Sequence, residues 1–380
     1  MKTIKEAKIN KGQRVLIRAD FDVVVKGDKV SEDFRIRAVL PTVRFILKKG
    51  GLIRLLAHLD RPGGKFVSGL SLKRVTGYLE KLFNRRVIFI RNPFAQRIFE
   101  KYKDSKEIVL FENIRFWPGE ETNDEVFSKN LGRWGDIYIN DAFASSHRKH
   151  ASVVALANLL PSFAGFALEE EVKSLNKILQ NPSRPFFAIL GGAKLETKLP
   201  LIKLFLKIAD GVLIGGVLVN PFVVYPEKQK LSEKSGKFRG IKKIRSNHRL
   251  YLPSDVVVAK NLNSKGETLA IGEMREDKAI FDIGPETVKS FAALLGKAKT
   301  VVWNGPLGLA EKKEFSFGTT GVAKSLSRIK AFKVIGGGDT IAILRKYKIL
   351  KGFSHISLGG GAMLEFLVGK KLPGIEVLKR

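Results

Sequence analysis

The chain has no cysteine among its 380 residues. Disulfides and thiolate metal sites are therefore excluded, which fits a reducing cytosol. Acid is also scarce: 37 Asp and Glu against 68 Lys and Arg leave a formal net charge of +31. Such an excess attracts anionic substrates and gives nonspecific polyanion binding at low salt. The basic residues run along the whole chain, with one concentration over residues 228–249. Zinc-finger spacing, an aromatic RNA-recognition motif and an obvious recognition helix are all missing, so no specific nucleic-acid partner is expected. Apolar runs are short as well. Val212 to Val219 is among the longest, far below the roughly 20 residues of a membrane span. The N-terminal MKTIKEAKINKGQR has no apolar core of signal-peptide length. The expectation is a cytoplasmic protein with no membrane partner.

What is present is a recurring short β-branched run. RVLIRAD, GLIRLLAHL, RVIFI, EIVLFENIRF and DIYINDAF stand in the first half; FFAILGG, GVLIGG, DVVVA, TVVWNGP, KVIGGGD and HISLGG stand in the second. Runs that are apolar on both faces and separated by amphipathic segments predict an α/β fold with parallel sheets covered by helices. The two halves end their strands differently. First-half strands run into Arg18 and Asp20, His58 and Arg61, Arg115, then Asp141 and Arg148; second-half strands run into glycines. In open parallel sheets ligands sit outside the carboxyl ends of the strands. Arginine and histidine there suit a small molecule bearing phosphate or carboxylate, and bare glycine turns suit a nucleotide polyphosphate. Between the halves, residues 167–179 have apolar positions at helical spacing and read as a connecting helix. The inferred chemistry is phosphoryl transfer between a nucleotide and a small anion.

Individual residues leave alternatives. In VIGGGDT, phosphate oxygens can lie on Gly337 and Gly338 with Asp339 facing them through magnesium, or Asp339 can cap a helix after a tight turn. Thr340 can cap or bind a phosphate oxygen. In LGGAKLETK, Lys194 and Lys198 are four apart, share a helix face on this reading, and can bracket a phosphate. His58 with Arg61, and His147 with Arg148, follow apolar strands and read as anion binders. Arg35 and Arg37 would point to different faces of a helix, so at most one enters a site.

Taken together, VLIRADFD, FRIRAVLPTV, AHLDRPGGK, LFENIRFWPGEETND, YINDAFASSHRKHAS, LGGAKLETK, VVWNGPLG, IGGGDT, FSHISLGGGA and LEFLVGKKLPG resemble the phosphoglycerate kinase family nearly end to end. The resemblance implies two Rossmann-like domains joined by a hinge helix: 1–165 for phosphoglycerate, 166–365 for nucleotide, and a tail, 366–380, packing back on the first. It implies reversible phosphoryl transfer between 1,3-bisphosphoglycerate with MgADP and 3-phosphoglycerate with MgATP, as in glycolysis and gluconeogenesis, by a monomer. By motif position, Asp20, Asp22, Arg35, His58, Arg61, Arg115 and Arg148 fall on the phosphoglycerate pocket. Lys198, Glu311, Gly337, Gly338, Asp339 and Thr340 fall on the nucleotide side, with Asp339 as the magnesium-linked acid. Arg35, Lys194 and Lys198 match the catalytic cations.

Several positions depart from the family pattern. Asp22 stands where asparagine is usual, and Asp60 and Ala144 stand at glycine positions; Ala57 replaces a serine. Val217 and Ile280 replace glycines on the nucleotide side, Pro221 stands where threonine is common, and Leu358 and Met363 replace hydroxyl residues. The segment between Phe222 and Leu252 is shorter and more basic than usual. These changes motivate a second expectation, a catalytically weakened relative retained for binding, with polyanions as the candidate partners.

Overall fold

The computed structural model describes residues 1–27, 29–223, 241–274 and 277–379. The basic concentration at 228–249 and the shortened segment after Phe222 therefore lie partly outside the described residues.

The first half builds a parallel sheet from β1 (Arg14–Arg18), β2 (Leu52–Leu56), β3 (Val87–Ile90), β4 (Ile108–Phe111), β5 (Ile137–Asn140) and β6 (Ser162–Ala164), in the order β3-β4-β2-β1-β5-β6. β4 and β5 are buried at every position. That is why their sequences are continuous apolar runs with no alternation. Helices such as Leu40–Lys48 and Thr76–Phe83 put Val43, Ile46 and Leu79 into a core with Val15, Ile17, Leu55 and Leu110. The chain leaves β1 towards β2 and later resumes on the other side at β5, so the order reverses beside β1. A ligand crevice is expected at that reversal.

The second half repeats the plan. β7 (Phe186–Leu190), β8 (Gly211–Ile214) and β9 (Leu250–Tyr251) come first; then β10 (Asp255–Ala259), β11 (Glu267–Ala270) and β12 (Ala279–Ile283); then β13 (Thr300–Asn304), β14 (Phe332–Gly336) and β15 (His355–Ser357). The parallel sheet has the order β9-β8-β7-β13-β14-β15, with its reversal between β7 and β13. DVVVA, expected in a parallel sheet, is instead the centre of an antiparallel one, β11-β10-β12. The connection over residues 260–266 is too short for a parallel crossover, which needs a dozen residues or more.

By contacts the chain divides into one unit of residues 1–173 with 369–380, and a second of residues 174–368. Within the first, the tail bonds through Lys2 N–H to Leu378 O (2.9 Å), Gly374 N–H to Ser146 O (2.9 Å) and Asn140 Nδ2 to Gly374 O (3.2 Å). The connecting helix runs Phe166–Gln180, one residue beyond the predicted span at each end. Its first turn is fixed by Asp141, whose Oδ1 accepts the N–H groups of Ala167 (2.8 Å) and Leu168 (3.2 Å). Asp141 thus serves the helix, satisfying donors that would otherwise be orphaned.

Burial pushes the Asp141 carboxyl up to about 6, against its hydrogen bonds with Thr42, Leu168 and Ala167. The native state therefore holds this proton more tightly than the unfolded chain, and stability from this group falls as pH rises from about 4 to about 6. Asp141→Ala is expected to lose about 1–2 kcal/mol through the missing cap. Asp141→Asn keeps the acceptor without the buried charge, so its stability relative to the parent should improve over the same pH window. Urea denaturation at pH 4.5 and 7 checks both; an Asn variant that weakens relative to the parent as pH rises would contradict this account.

Candidate active site

At the carboxyl edge of the first sheet, β1 ends in Arg18, a side chain with no exposed surface. A buried guanidinium needs partners on every side. Arg18 Nε donates to Ser152 Oγ (2.9 Å), and Nη2 donates to Ser145 Oγ (3.3 Å) and to His58 Nδ1 (3.1 Å). Ser152 in turn donates to Glu120 through both N–H (2.9 Å) and Oγ (2.7 Å). Burial opposes charge on Glu120, but His150, with Nδ1 3.6 Å from Oε1, the field of Arg18 and the bonds from Ser152 outweigh it and hold the carboxyl below its usual range. The segment Ala151–Ala155 that presents Ser152 is a π-helical turn, a form enriched at functional sites.

His58 is consequently neutral. Burial first, then Arg18, Arg115, Arg35 and His150, push it well below its ordinary value. Because Arg18 can only donate, His58 Nδ1 must accept, and the imidazole keeps its proton on Nε2 as a hydrogen-bond donor. Arg115 is buried too, lowered to about 10 by burial and by the fields of Arg18 and Arg148. Its Nη1 donates to Asp60 O (2.8 Å), while its buried Nε has no hydrogen-bond partner among the described residues. Its charged neighbour is Glu121, with Oε1 3.9 Å from Nε, and a guanidinium nitrogen with no hydrogen bond of its own is suited to an anion. Arg148 is half-buried and Arg61 exposed on the loop after His58.

Arg35 and Arg37 separate as their spacing predicts. Arg35 turns in, with Nη1 2.9 Å from Asp20 Oδ2 and 3.7 Å from Asp22 Oδ2; Arg37 turns out to Asp33. Asp20 is raised by its burial, which Arg35 partly offsets. Asp22 also accepts the Asp60 N–H (2.9 Å), and Asp60 itself has φ of 55°. A left-handed residue is ordinarily glycine; aspartate is among the few others that tolerate it. Two of the departures are therefore in contact with each other.

The second sheet ends in backbone. Gly305 follows β13 with φ of 93°, and a Cβ there would collide with Gly191 O. Gly337, with φ of 99°, is the N-cap of helix Gly338–Lys346. Asp339 is not the cap: it sits in the first turn with its side chain exposed. Thr340 Oγ1 is buried and has no partner among the described residues. A helix N-terminus with an orphaned hydroxyl and no Cβ at the turn is a phosphate cradle. Opposite in sequence, Lys198 is buried and its ammonium donates to Asn304 Oδ1. Burial lowers it to about 8, and the field of Asp339 acts the other way. Lys194 does not share its helix face. It is the exposed, extended residue before helix Leu195–Ile208 and points to the same end only as an N-terminal neighbour.

Magnesium fits this arrangement. Among the described residues no cluster of three or more His, Asp or Glu could hold a metal by itself. One exposed carboxylate, Asp339, beside a phosphate cradle is what magnesium accepts when phosphate oxygens and water complete its shell.

Of the remaining positions, Glu311 is exposed beyond β13 and is not gathered with Lys198 and Asp339 by any contact the structure records. Ile280 is fully buried on β12, its N–H 3.4 Å from Asn220 Oδ1, and Val217 is half-buried. Met363 is buried with Sδ 3.9 Å from Asn304 Nδ2, and a Cβ on Gly336 would collide with it. It thus packs beneath the asparagine that holds Lys198. Asn304 stands outside the site residues expected from the sequence, and Arg18 enters that reading only as a charged strand end. Asn304 had one signal, its place at the strand end in VVWNGPLG.

An arginine-rich edge on one parallel sheet and a glycine-lined, lysine-bearing edge on another define an α/β phosphoryl-transfer enzyme. Comparison with known proteins narrows the class. Residues 4–370 match the phosphoglycerate kinase family. The phosphoglycerate kinase of Thermomicrobium roseum is 38% identical over 398 residues, covering 100% of this chain and 99% of the relative. That of Pseudothermotoga lettingae is 40% identical, covering 98% and 97%. Among solved structures, phosphoglycerate kinase from Pyrococcus horikoshii superposes with a TM-score of 0.85 at 30% identity, covering 100% and 98%; that from Coxiella burnetii gives 0.83 at 33%, covering 99% and 98%. The chain belongs to the phosphoglycerate kinase family. It is a phosphotransferase with a carboxyl group as acceptor, using MgATP and MgADP. The binding-only alternative is not favoured by these relatives.

The Asp22 carboxylate shares Arg35 with Asp20 and brings negative charge to an anion site. Asp22→Asn is expected to lower the KM for 3-phosphoglycerate about fivefold with kcat little changed, since one partly exposed charge near Arg35 is removed. Steady-state kinetics at fixed ionic strength checks this; a raised KM would mean that Asp22 assists the substrate through its contact with Asp60.

Proposed function

We propose that the reaction, reversible phosphoryl transfer between 1,3-bisphosphoglycerate with MgADP and 3-phosphoglycerate with MgATP, is divided between the two units by charge. His58 Nε2–H, Arg35, Arg61, Arg115 and Arg148 hold the phosphoglycerate, and Asp20 orients Arg35 and accepts from the substrate. Gly337, Gly338 and Thr340 receive the nucleotide phosphates, with Asp339 the carboxylate for magnesium and Glu311 assigned to the nucleotide by motif position alone. The observation that carries this reading is the buried, unpartnered Thr340 Oγ1 at a glycine-capped helix N-terminus, paired in sequence with an arginine cluster at the other sheet.

An acyl phosphate already has a good leaving group, and a loose phosphoryl transition state spreads charge over its equatorial oxygens. The chain's residues therefore need to position and neutralise; no nucleophilic side chain is required. Arg35 is assigned to the reacting carboxyl end of the substrate on its own unit. Lys194 and Lys198 are assigned to the terminal phosphate on theirs. Magnesium, when bound, supplies further neutralisation of the nucleotide phosphates. The residue range 1–165 is proposed as the phosphoglycerate domain, 166–365 as the nucleotide domain and 366–380 as the tail of the first. We extend the reading to a cytoplasmic monomer. No helix of the described residues is long and apolar enough to cross a membrane.

Arg35→Ala is expected to lower kcat by about 10²–10³-fold while MgADP affinity, read by calorimetry, stays within about twofold because the nucleotide site is untouched. Equal loss of nucleotide binding would overturn the division of labour. A second prediction follows from Lys198, lowered to about 8 by burial. A bound phosphate favours its charged form, so binding takes up a proton where the free lysine is neutral. MgADP affinity should fall as pH rises above about 8, and Lys198→Arg, which stays charged, should lose that decline. The same decline in both proteins would assign it to another group.

A further inference from the structure

The first unit carries a groove of about 1050 Å³ at the carboxyl ends of β3 and β4, two strands away from the β1 reversal. Five cations line it: Lys29, Lys73, Arg74, Lys81 and Arg91. None belongs to the residues assigned above. Its one lining acid, Glu112, is 2% exposed and turned into the protein, accepting Ser71 Oγ (2.7 Å), Leu72 N–H (2.9 Å) and Asn113 N–H (2.7 Å). Arg74 is fixed by donating to Gly27 O (3.0 Å) and Gly69 O (2.6 Å). Lys73 and Lys81 are exposed, and among the described residues no carboxylate pairs with either. The wall therefore presents positive charge that the protein does not itself neutralise.

Beside those cations stands an aromatic surface. Phe66 is 51% exposed, although its edge rests on Phe116 with centroids 5.0 Å apart. The Arg91 guanidinium lies 4.9 Å from the Phe66 ring centroid. Tyr78 and Phe89 line the same groove, with the Tyr78 hydroxyl tied back to Asp33 (2.6 Å). An ion-only site has no use for an exposed ring. A ring with a stacked arginine, next to unpaired lysines, matches a ligand that carries both a planar base and phosphate. The volume lies just above the range of about 300–1,000 Å³ for small-molecule sites, which leaves room for more than one phosphate.

We propose that this groove is a second binding site for nucleotide phosphate chemistry, with the base on Phe66 and Arg91 and the phosphates on Lys73 and Lys81. The ligand is either a free nucleotide or a stretch of single-stranded nucleic acid, bound without sequence preference. The site is separate from the nucleotide cradle, which lies on the other unit at Gly337 and Thr340.

The test is fluorescence anisotropy of a labelled single-stranded hexanucleotide titrated with the full chain at moderate salt. Lys73→Glu with Lys81→Glu should weaken binding about tenfold or more, as two phosphate contacts are lost. Lys297→Glu with Lys299→Glu, which removes the same charge from an exposed stretch of the other unit, should weaken it much less. Phe66→Ala should weaken it about fivefold at unchanged net charge. Thermal melts and phosphoglycerate kinase activity close to the parent's establish that each variant is folded. Equal loss in both lysine pairs, or no effect of Phe66→Ala, overturns the proposal in favour of diffuse electrostatic attraction. Displacement of the probe by AMP identifies a free nucleotide as the ligand; displacement by unlabelled oligonucleotide alone identifies single-stranded nucleic acid.

Discussion

The first unit's site depends on one buried cation. Arg18 has no exposed surface and divides its protons among Ser145, Ser152, His58 and the carbonyl of Ala19. Because a guanidinium does not give up its charge, each neighbour has to adapt to it. Glu120 stays ionised in a buried place, the π-helical turn delivers Ser152, and His58 is held neutral with its remaining proton facing away from Arg18. An imidazole that could charge would add one more cation to a site already crowded with them. Here the histidine contributes direction and the arginines contribute charge.

The second unit solves the opposite problem. Its sheet edge offers backbone and space in place of arginines, and the one buried lysine at that edge, Lys198, is bonded to Asn304. Met363, standing where a hydroxyl is usual in the family, supports that asparagine from below. At Met363 the chain offers packing and no hydroxyl, so the unpartnered hydroxyl beside the glycine turn is that of Thr340. On the first unit, Asp22 and Asp60 depart together and meet through the Asp60 N–H. A side chain now holds a left-handed turn that glycine would adopt unaided.

Much of this was legible in the residues themselves. Strands buried on both faces leave continuous apolar runs, so β4, β5 and β7 could be read as parallel-sheet strands directly. Helical spacing alone separates Arg35 from Arg37. What failed was whatever depends on distant pairing. DVVVA reads like its parallel neighbours, and only the short connection after it forces an antiparallel partner. Arg18 at a strand end looks no different from Asp20, although one is a buried hub and the other a partner of Arg35. Asn304 meets Lys198 across 106 positions of sequence, a contact that no local pattern encodes. Lys194 fails for a local reason: the helix begins one residue later than its spacing with Lys198 assumed. The individual roles came from resemblance, since spacing alone supplied only candidates.

The return of residues 369–380 to the first unit has a consequence for synthesis. A ribosome releases the chain from its N-terminus, so residues 1–173 emerge first yet lack the segment that bonds to Lys2, Asn140 and Ser146. The second unit, continuous over residues 174–368, has all its sequence in hand before the first does. The earlier-made half is therefore the later one to be finished, and its β5 and β6 edge waits, short of these hydrogen bonds, until residues 369–380 have been made.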